Sequence, residues 1–138
     1  MRVFLRTGIV LTAVILGAIG LSEAQDGLTK RNSQGPVTVV VTLITPSTAG
    51  DPVKAKVVLD THSVALDSIK FEDAVVFRTS DGLDVPLSAV EQASGSGHHR
   101  EAVLVFAQPV GAKLLTIIVK NVGGVTERNF SWELPASR

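Results

Sequence analysis

The three histidines are the residues of this chain whose type best suits chemistry. His62 follows an apolar run in the tetrapeptide DTHS, and His98 and His99 end a Gly/Ser-rich segment just before another apolar run. Imidazole is the commonest metal ligand in proteins, and sites on a β framework are usually built from loops at strand ends. His62, His98 and His99 are therefore candidate ligands of an open Zn²⁺ or Cu(II) site. Asp60 or Glu101 could add a carboxylate.

The spacing of the histidines argues against that site. Neighbouring side chains of an extended chain point to opposite faces, so His98 and His99 would diverge. No H-x-H or HExxH motif fixes two of them on one side. The alternative is that all three are solvated or cap turns. Copper(I) is less suited still, because the chain has no Cys and a single Met.

Patterns of known catalytic sites are missing. There is no G-x-S-x-G nucleophile elbow, and Gly95-Ser96-Gly97 resembles a flexible linker. The carboxylates are scattered, and the chain is poor in the aromatic residues that line sugar sites. No helix or Lys follows Gly123-Gly124, as a phosphate loop would require. We therefore expect no catalytic residue, no certain cofactor and a protein that is not an enzyme.

Composition narrows the class of protein further. The 138 residues are 45% hydrophobic and 19% charged, with 13 basic and 13 acidic side chains. This length suits one domain, and the hydrophobic content argues against a disordered chain. Zero net charge argues against a nucleic-acid partner, which would need a positive surface. The absence of Cys excludes disulfides and thiolate metal sites.

The N-terminus has the pattern of a secretory signal. Arg2 and Arg6 precede the apolar run 8–21, and small residues at 22 and 24 suit a signal peptidase. We expect residues 1–24 to be removed by cleavage after Ala24 and the protein to be periplasmic or extracellular. The alternative is an uncleaved anchor formed by residues 3–21. The apolar run 8–21 would span only about 21 Å of the ~30 Å hydrocarbon core.

The mature chain is rich in runs typical of strands. The run 37–45 is made of Val, Thr, Leu and Ile after a Pro, and 53–60 alternates apolar with polar side chains. Asp81-Gly82 predicts a tight turn between the strands 71–79 and 83–90. Further strands are expected in 101–107, 113–122 and 125–134, with 92–99 as a loop and 25–35 as a flexible lead-in. The sequence thus predicts an all-β domain over 36–138.

About seven strands with no convincing amphipathic helix favour an antiparallel β-sandwich of immunoglobulin type, preceded by an N-terminal signal helix. A small barrel is the alternative. The Cys pair of antibody domains is absent, so only the architecture is expected to be similar.

The last two strands allow a prediction of register. If Gly123-Gly124 is a two-residue turn, the paired residues are Val122 with Val125, Lys120 with Glu127, Ile117 with Phe130 and Leu115 with Trp132. Trp132 is then buried, as its alternation with polar neighbours also predicts. Arg128 shares its face. We expect its guanidinium to reach water past the rim of the core; the alternative is a buried carboxylate or carbonyl partner.

Three groups of residues resemble an uncharacterised family of exported bacterial and archaeal proteins. They are Val57 to Val64 with its Thr-His-Ser step, Gly97-His98-His99-Arg100, and Val122 to Val125 together with Arg128, Phe130 and Trp132. The resemblance covers residues 37–134. It implies export and links the two histidine segments, but it implies no activity.

These observations predict an exported binding or accessory module of the cell envelope. A sheet face or an edge strand would contact a protein partner, and a membrane would be contacted only if the signal segment were retained. Val40, Val58, Leu114 and Ile118 on outer faces would supply apolar surface. The alternative function is extracytoplasmic metal binding through the loop histidines.

Overall fold

The part of the chain that the structure describes contains nine strands and one short helix. This is a computed structural model, and it describes residues 28–44, 51–107 and 113–133. The elements in chain order are β1 (Thr29–Asn32), β2 (Val37–Ile44), β3 (Val53–Thr61), α1 (Phe71–Ala74), β4 (Val75–Arg78), β5 (Asp84–Val85), β6 (Ala89–Ser96), β7 (His99–Phe106), β8 (Leu114–Val122) and β9 (Val125–Glu133).

The strands form two antiparallel sheets. The five-stranded sheet has the order β1-β2-β3-β7-β6, and the four-stranded sheet has the order β5-β4-β8-β9. The chain crosses from the first sheet to the second after β3, through residues 62–70 and α1. The all-β class predicted from the sequence is confirmed.

One core lies between the two sheets. Along β2, the residues Val37, Val39, Val41 and Leu43 are buried while the side chains between them are half-buried, as period-two alternation requires. From the other sheet, β4 and β8 contribute equally buried side chains to the same cluster. The rings of Phe77 and Phe106 meet across it with centroids 6.5 Å apart. The sheets therefore pack face to face as a sandwich.

The β8–β9 hairpin has the predicted register. Val122 pairs with Val125 and Leu115 with Trp132, and the other two predicted pairs also form. Gly123 and Gly124 have φ angles of 60° and 74°, the left-handed conformation that both central residues of a type I′ turn require. Trp132 is 5% exposed, so its predicted burial is confirmed.

Other local predictions differ from the structure. Residues 71–74, expected within a strand, form α1, and β5 ends at Val85, directly before Pro86. The Gly/Ser segment expected as a loop is largely strand β6, with a bulge between Glu91 and Ser94. Thr29–Asn32, within the expected lead-in, pair with β2 as β1. The glycine and polar residues of β1 and β6 did not predict strands. These two segments are strands because each pairs with an apolar neighbour strand, β2 or β7.

The predicted signal segment 1–24 lies outside the described residues. Within the described part of the chain, no helix is long and apolar enough to cross a membrane.

Candidate functional site

Strand pairing brings the three histidines to one end of the five-stranded sheet. Asp60, near the end of β3, lies opposite His99 at the start of β7. The next residue, Thr61, donates its backbone N–H to the carbonyl oxygen of His98 at 3.0 Å. His62 follows directly in the chain. We call this region, which also contains the β8–β9 turn, the histidine end.

His99 is held between two carboxylates. Its Nδ1 lies 2.5 Å from Oδ1 of Asp60, and its Nε2 lies 3.6 Å from Oε2 of Glu101. The hydrogen bond to Asp60, with a smaller contribution from Glu101, raises the pKa of His99 above its ordinary value. Lys56 in turn lies 3.2 Å from Glu101. Negative and positive side chains thus alternate along this outer face, which favours the imidazolium form of His99.

The same geometry limits the metal interpretation. Asp60 and Glu101 face different nitrogens of the His99 ring, so the three residues cannot surround one ion in the present arrangement. Both His62 and His98 are exposed. Among the described residues, no group of three His, Asp or Glu side chains is arranged to hold a metal ion. The structure brings the histidine-bearing segments together, while His99 alone among the three makes a carboxylate contact.

Thr61 gives the DTHS segment a structural role. Its hydroxyl donates to the carbonyl oxygen of Pro36 at 2.8 Å and accepts the N–H groups of Ser63 and Val64 at 3.2 and 3.3 Å. The side chain is buried. A Thr hydroxyl that bonds the following amides ends a strand in a tight turn. The turn after β3 is thereby tied to the start of β2.

Arg100 holds the crossover segment in place. Its Nη1 donates to the carbonyl oxygen of Leu66 at 3.0 Å and also to that of Ile69. The guanidinium lies 5.1 Å from the centroid of the Phe71 ring, within cation–π range. Leu66 is fully buried, so this arginine holds the crossover closed over this end of the core.

The β6–β7 turn completes this attachment. The N–H of Gly97 donates to Oδ1 of Asp67 at 2.9 Å, and the carbonyl oxygen of Gly97 accepts the N–H of Leu66 at 2.8 Å. The crossover after the DTHS turn is thus bonded to the segment that carries His98 and His99. These hydrogen bonds explain why the two histidine segments lie together, and the explanation requires no shared ligand.

Arg128 is buried, and the expectation that it reaches water is wrong. Its side chain is 1% exposed. Nη1 donates to the carbonyl oxygen of Val122 at 2.7 Å, and Nη2 to those of Gln34 and Val37 at 2.6 and 3.1 Å. Nε donates to Oδ1 of Asn32 at 3.2 Å. Burial lowers the pKa of Arg128, but a guanidinium keeps its charge in proteins. The carbonyl partners were the alternative that the sequence left open.

Gly123 places the β8–β9 turn against the start of β2. A Cβ atom at this position would lie 2.7 Å from Cγ2 of Val37, which is closer than two non-bonded carbon atoms can approach. The Thr-His-Ser, Gly-His-His-Arg and Val-Gly-Gly-Val segments therefore meet at the histidine end. Each has a packing role there.

A second charge cluster lies on the outside of the four-stranded sheet. Arg78 donates to both carboxylate oxygens of Asp84, at 2.7 and 3.2 Å, and to both of Glu127, at 3.0 Å each. Lys120 pairs with Asp84 rather than with Glu127, which it faces across the strands. Arg78 is the main cause that lowers the pKa of both carboxyls. Two cations and two anions satisfy one another, which indicates a structural network.

The expected apolar surface is smaller than the sequence predicts. Val40 and Val58 are half-buried and Leu114 is 42% exposed, but Ile118 is fully buried. These residues do not form an open apolar face.

The long free edge of β9 is the feature of the described structure best suited to binding. Val122 and Val125 flank the turn as a hydrogen-bonded pair, so the odd-numbered residues of β9 bond to β8. The backbone groups of Thr126, Arg128, Phe130 and Trp132 then point away from β8. They have no hydrogen-bond partner among the residues that the structure describes. We call this row of backbone groups the β9 edge.

The other three sheet edges are short or irregular. β1 has four residues and β5 has two. β6 carries a bulge, and Gln92 within it has a φ of 49°. Short strands and bulges are the usual means by which proteins protect an edge from pairing. The nine regular residues of β9 lack both forms of protection.

Comparisons with known proteins do not add a relative. No protein-family model matches the chain, and neither a curated protein nor a solved structure matches it.

Proposed function

We propose that this chain is an exported, non-catalytic binding module of the cell envelope that engages a protein partner through the β9 edge. The observation that carries the proposal is the row of backbone groups at Thr126, Arg128, Phe130 and Trp132, which have no hydrogen-bond partner within residues 28–44, 51–107 and 113–133. An extended segment added to such an edge gains main-chain hydrogen bonds, and side chains on alternate faces give specificity.

The rest of the proposal concerns transport and architecture. Residues 1–24 act as a signal that is removed after Ala24, with retention of residues 3–21 as an anchor as the alternative. The mature sandwich is immunoglobulin-like and stands outside the cytoplasm. Its paired sheets support this assignment. Mass spectrometry of the exported protein tests the cleavage, since the product must begin at Gln25.

Photo-crosslinking in cells tests the binding function. A photo-reactive amino acid replaces Asn129, which is exposed beside the β9 edge; the matched control carries it at Glu72, which is exposed on α1. We expect a protein adduct from position 129 and none from position 72. Thr126→Pro removes one edge N–H without removing a bond to β8, so the adduct should be lost. Absence of an adduct at position 129, or equal adducts at both positions, would contradict the proposal.

Metal binding is the second candidate function. It is supported by the pairing of Asp60 with His99 and by the backbone hydrogen bond from Thr61 to His98, which bring the segments that carry the three histidines to one end of a sheet. A Zn²⁺ or Cu(II) ion would require the exposed imidazoles to turn toward Asp60. Because surface histidines rotate easily, such a movement is small compared with refolding a loop.

Calorimetry on untagged 25–138 tests this second candidate. Zn²⁺ and Cu(II) are titrated separately into the wild type and into His62→Ala. One-to-one binding at micromolar or tighter affinity that the substitution abolishes would support a site formed by the histidines. No binding, or binding indifferent to His62, would reject it.

A further inference from the structure

We infer that the β9 edge pairs with the same edge of a second copy of this chain, antiparallel and with Asn129 opposite Asn129 of the second copy. This inference rests on the proposed function, because it assigns the partner at the same edge. The product would be one continuous sheet made from the two four-stranded sheets.

The sequence of β9 suits this register. With the two Asn129 residues opposite each other, all nine residues of the strand overlap. Glu127 then faces Ser131 of the second copy, and Val125 faces Glu133. On the inner side, Arg128 faces Phe130 and Thr126 faces Trp132. No two like charges lie directly opposite each other.

The neighbouring registers that keep the core side of both strands on one face are less favourable. Moving the centre of symmetry to Arg128 places two arginines opposite each other at the junction. Moving it to Phe130 places Glu127 opposite Glu133. Like charges in directly opposed positions destabilise a strand pair. Charge thus selects the register centred on Asn129.

The backbone groups fit the same register. The even-numbered residues, whose N–H and C=O groups point to the free edge, would form the hydrogen-bonded pairs between the copies. Asn129, by contrast, would lie in a non-hydrogen-bonded pair, where the two Cα atoms are about 4.5 Å apart. Its side chain is exposed on the outer face, so two such amides could hydrogen-bond to each other.

Arg128 does not oppose the pairing, although a charge that points inward often protects an edge strand. All three guanidinium nitrogens donate hydrogen bonds to carbonyl or amide oxygens within its own chain. In the Asn129 register it meets an aromatic neighbour from the second copy.

Single cysteines test the register, because the chain has no Cys of its own. Asn129→Cys would bring two sulfur atoms into range, since disulfides need Cα atoms about 4.4–6.8 Å apart. The matched control is Glu133→Cys, exposed on the same strand and face but opposite Val125 of the second copy. Under mild oxidation we expect a covalent dimer from the first variant and little from the second.

Sedimentation equilibrium of wild-type 25–138 gives an independent reading. We expect a mass twice that of the monomer at high protein concentration, with dissociation on dilution. A monomer at every concentration, or equal disulfide formation by both cysteine variants, would overturn the inference. If the protein is monomeric while the photo-reactive group at position 129 still captures another protein, this inference fails and the proposed function stands. If that group captures nothing, both fail.

Discussion

Arg128 of the last strand donates a hydrogen bond at 3.1 Å to the carbonyl oxygen of Val37, which opens β2 in the opposite sheet. The contact joins residues 91 positions apart in the chain. The same guanidinium also bonds the carbonyl oxygen of Val122, at the end of β8. One buried cation therefore closes the histidine end of the sandwich from both sheets.

Arg128→Met should destabilise the fold strongly. The substitution preserves apolar bulk but removes the guanidinium hydrogen bonds to the carbonyl oxygens of Val122, Gln34 and Val37, which should cost about 2–4 kcal/mol of the free energy of unfolding. Urea unfolding followed by Trp132 fluorescence measures the loss. Arg128→Lys keeps the charge but cannot reach all the acceptors. Its free energy of unfolding should therefore lie between those of the wild type and the methionine variant. A methionine variant as stable as the wild type would show that these bonds contribute little.

Gly123→Ala should be more damaging than Gly124→Ala. Both positions have positive φ, which costs an L residue about 1–2 kcal/mol. At Gly123 the added methyl also meets Val37, whereas nothing lies within 4 Å of a Cβ at Gly124. Thermal unfolding of the two variants compares these positions directly. Equal melting temperatures would contradict the close packing of the turn on β2.

Thr61→Val should loosen the turn that follows β3. The variant keeps the shape of the side chain but loses the bond to Pro36 and the acceptor for two amides, a loss of about 1–3 kcal/mol. Thr61→Ser retains the hydroxyl and serves as the control. Amide hydrogen exchange at Ser63 and Val64 should accelerate in the valine variant alone. Unchanged amide exchange at Ser63 and Val64 would contradict the structural role of Thr61.

The titration of His99 should depend on Asp60. NMR should give a pKa for His99 above the ordinary value of 6.5, because Asp60 first and Glu101 second stabilise the imidazolium. Asp60→Asn should lower that pKa, and Glu101→Gln should lower it less. A His99 pKa unaffected by Asp60→Asn would contradict the observed ion pair.

The pH dependence of stability follows from the same shift. Because the pKa of His99 is higher in the folded than in the unfolded chain, the imidazolium stabilises the fold fully below pH 6.5. That contribution is lost as the pH rises through the folded-state pKa. The stability difference between wild type and His99→Gln should therefore shrink with rising pH. The effect is small because the ring is half exposed.

The β8–β9 hairpin could be predicted because its information is local. A Gly-Gly turn and the alternation around Phe130 and Trp132 both indicate one register, and the structure has it. β1 and β6 carried no such signal, since polar and glycine residues are poor strand formers in isolation. They are strands because β2 and β7 offer them hydrogen-bonding partners.

Contacts between distant segments could not be predicted from the sequence. The alternation placed Arg128 on the core side correctly, but its acceptors lie in residues 32–37 and 122, and no local pattern joins those to it. Asp60 and His99 are 39 residues apart, and their pairing depends on β3 lying beside β7. The three histidines, His62, His98 and His99, remain a predicted metal site that calorimetry must test.

Hydrogen exchange along β9 tests the central claim most directly. In dilute 25–138, the amides of Val125, Glu127, Asn129, Ser131 and Glu133 should be protected by β8. The amides of Thr126, Arg128, Phe130 and Trp132 should exchange fast, and they should become protected as the protein concentration rises or a partner binds. Slow exchange of both sets at every concentration would mean that the edge is already covered within the chain. That result would contradict a binding role for β9.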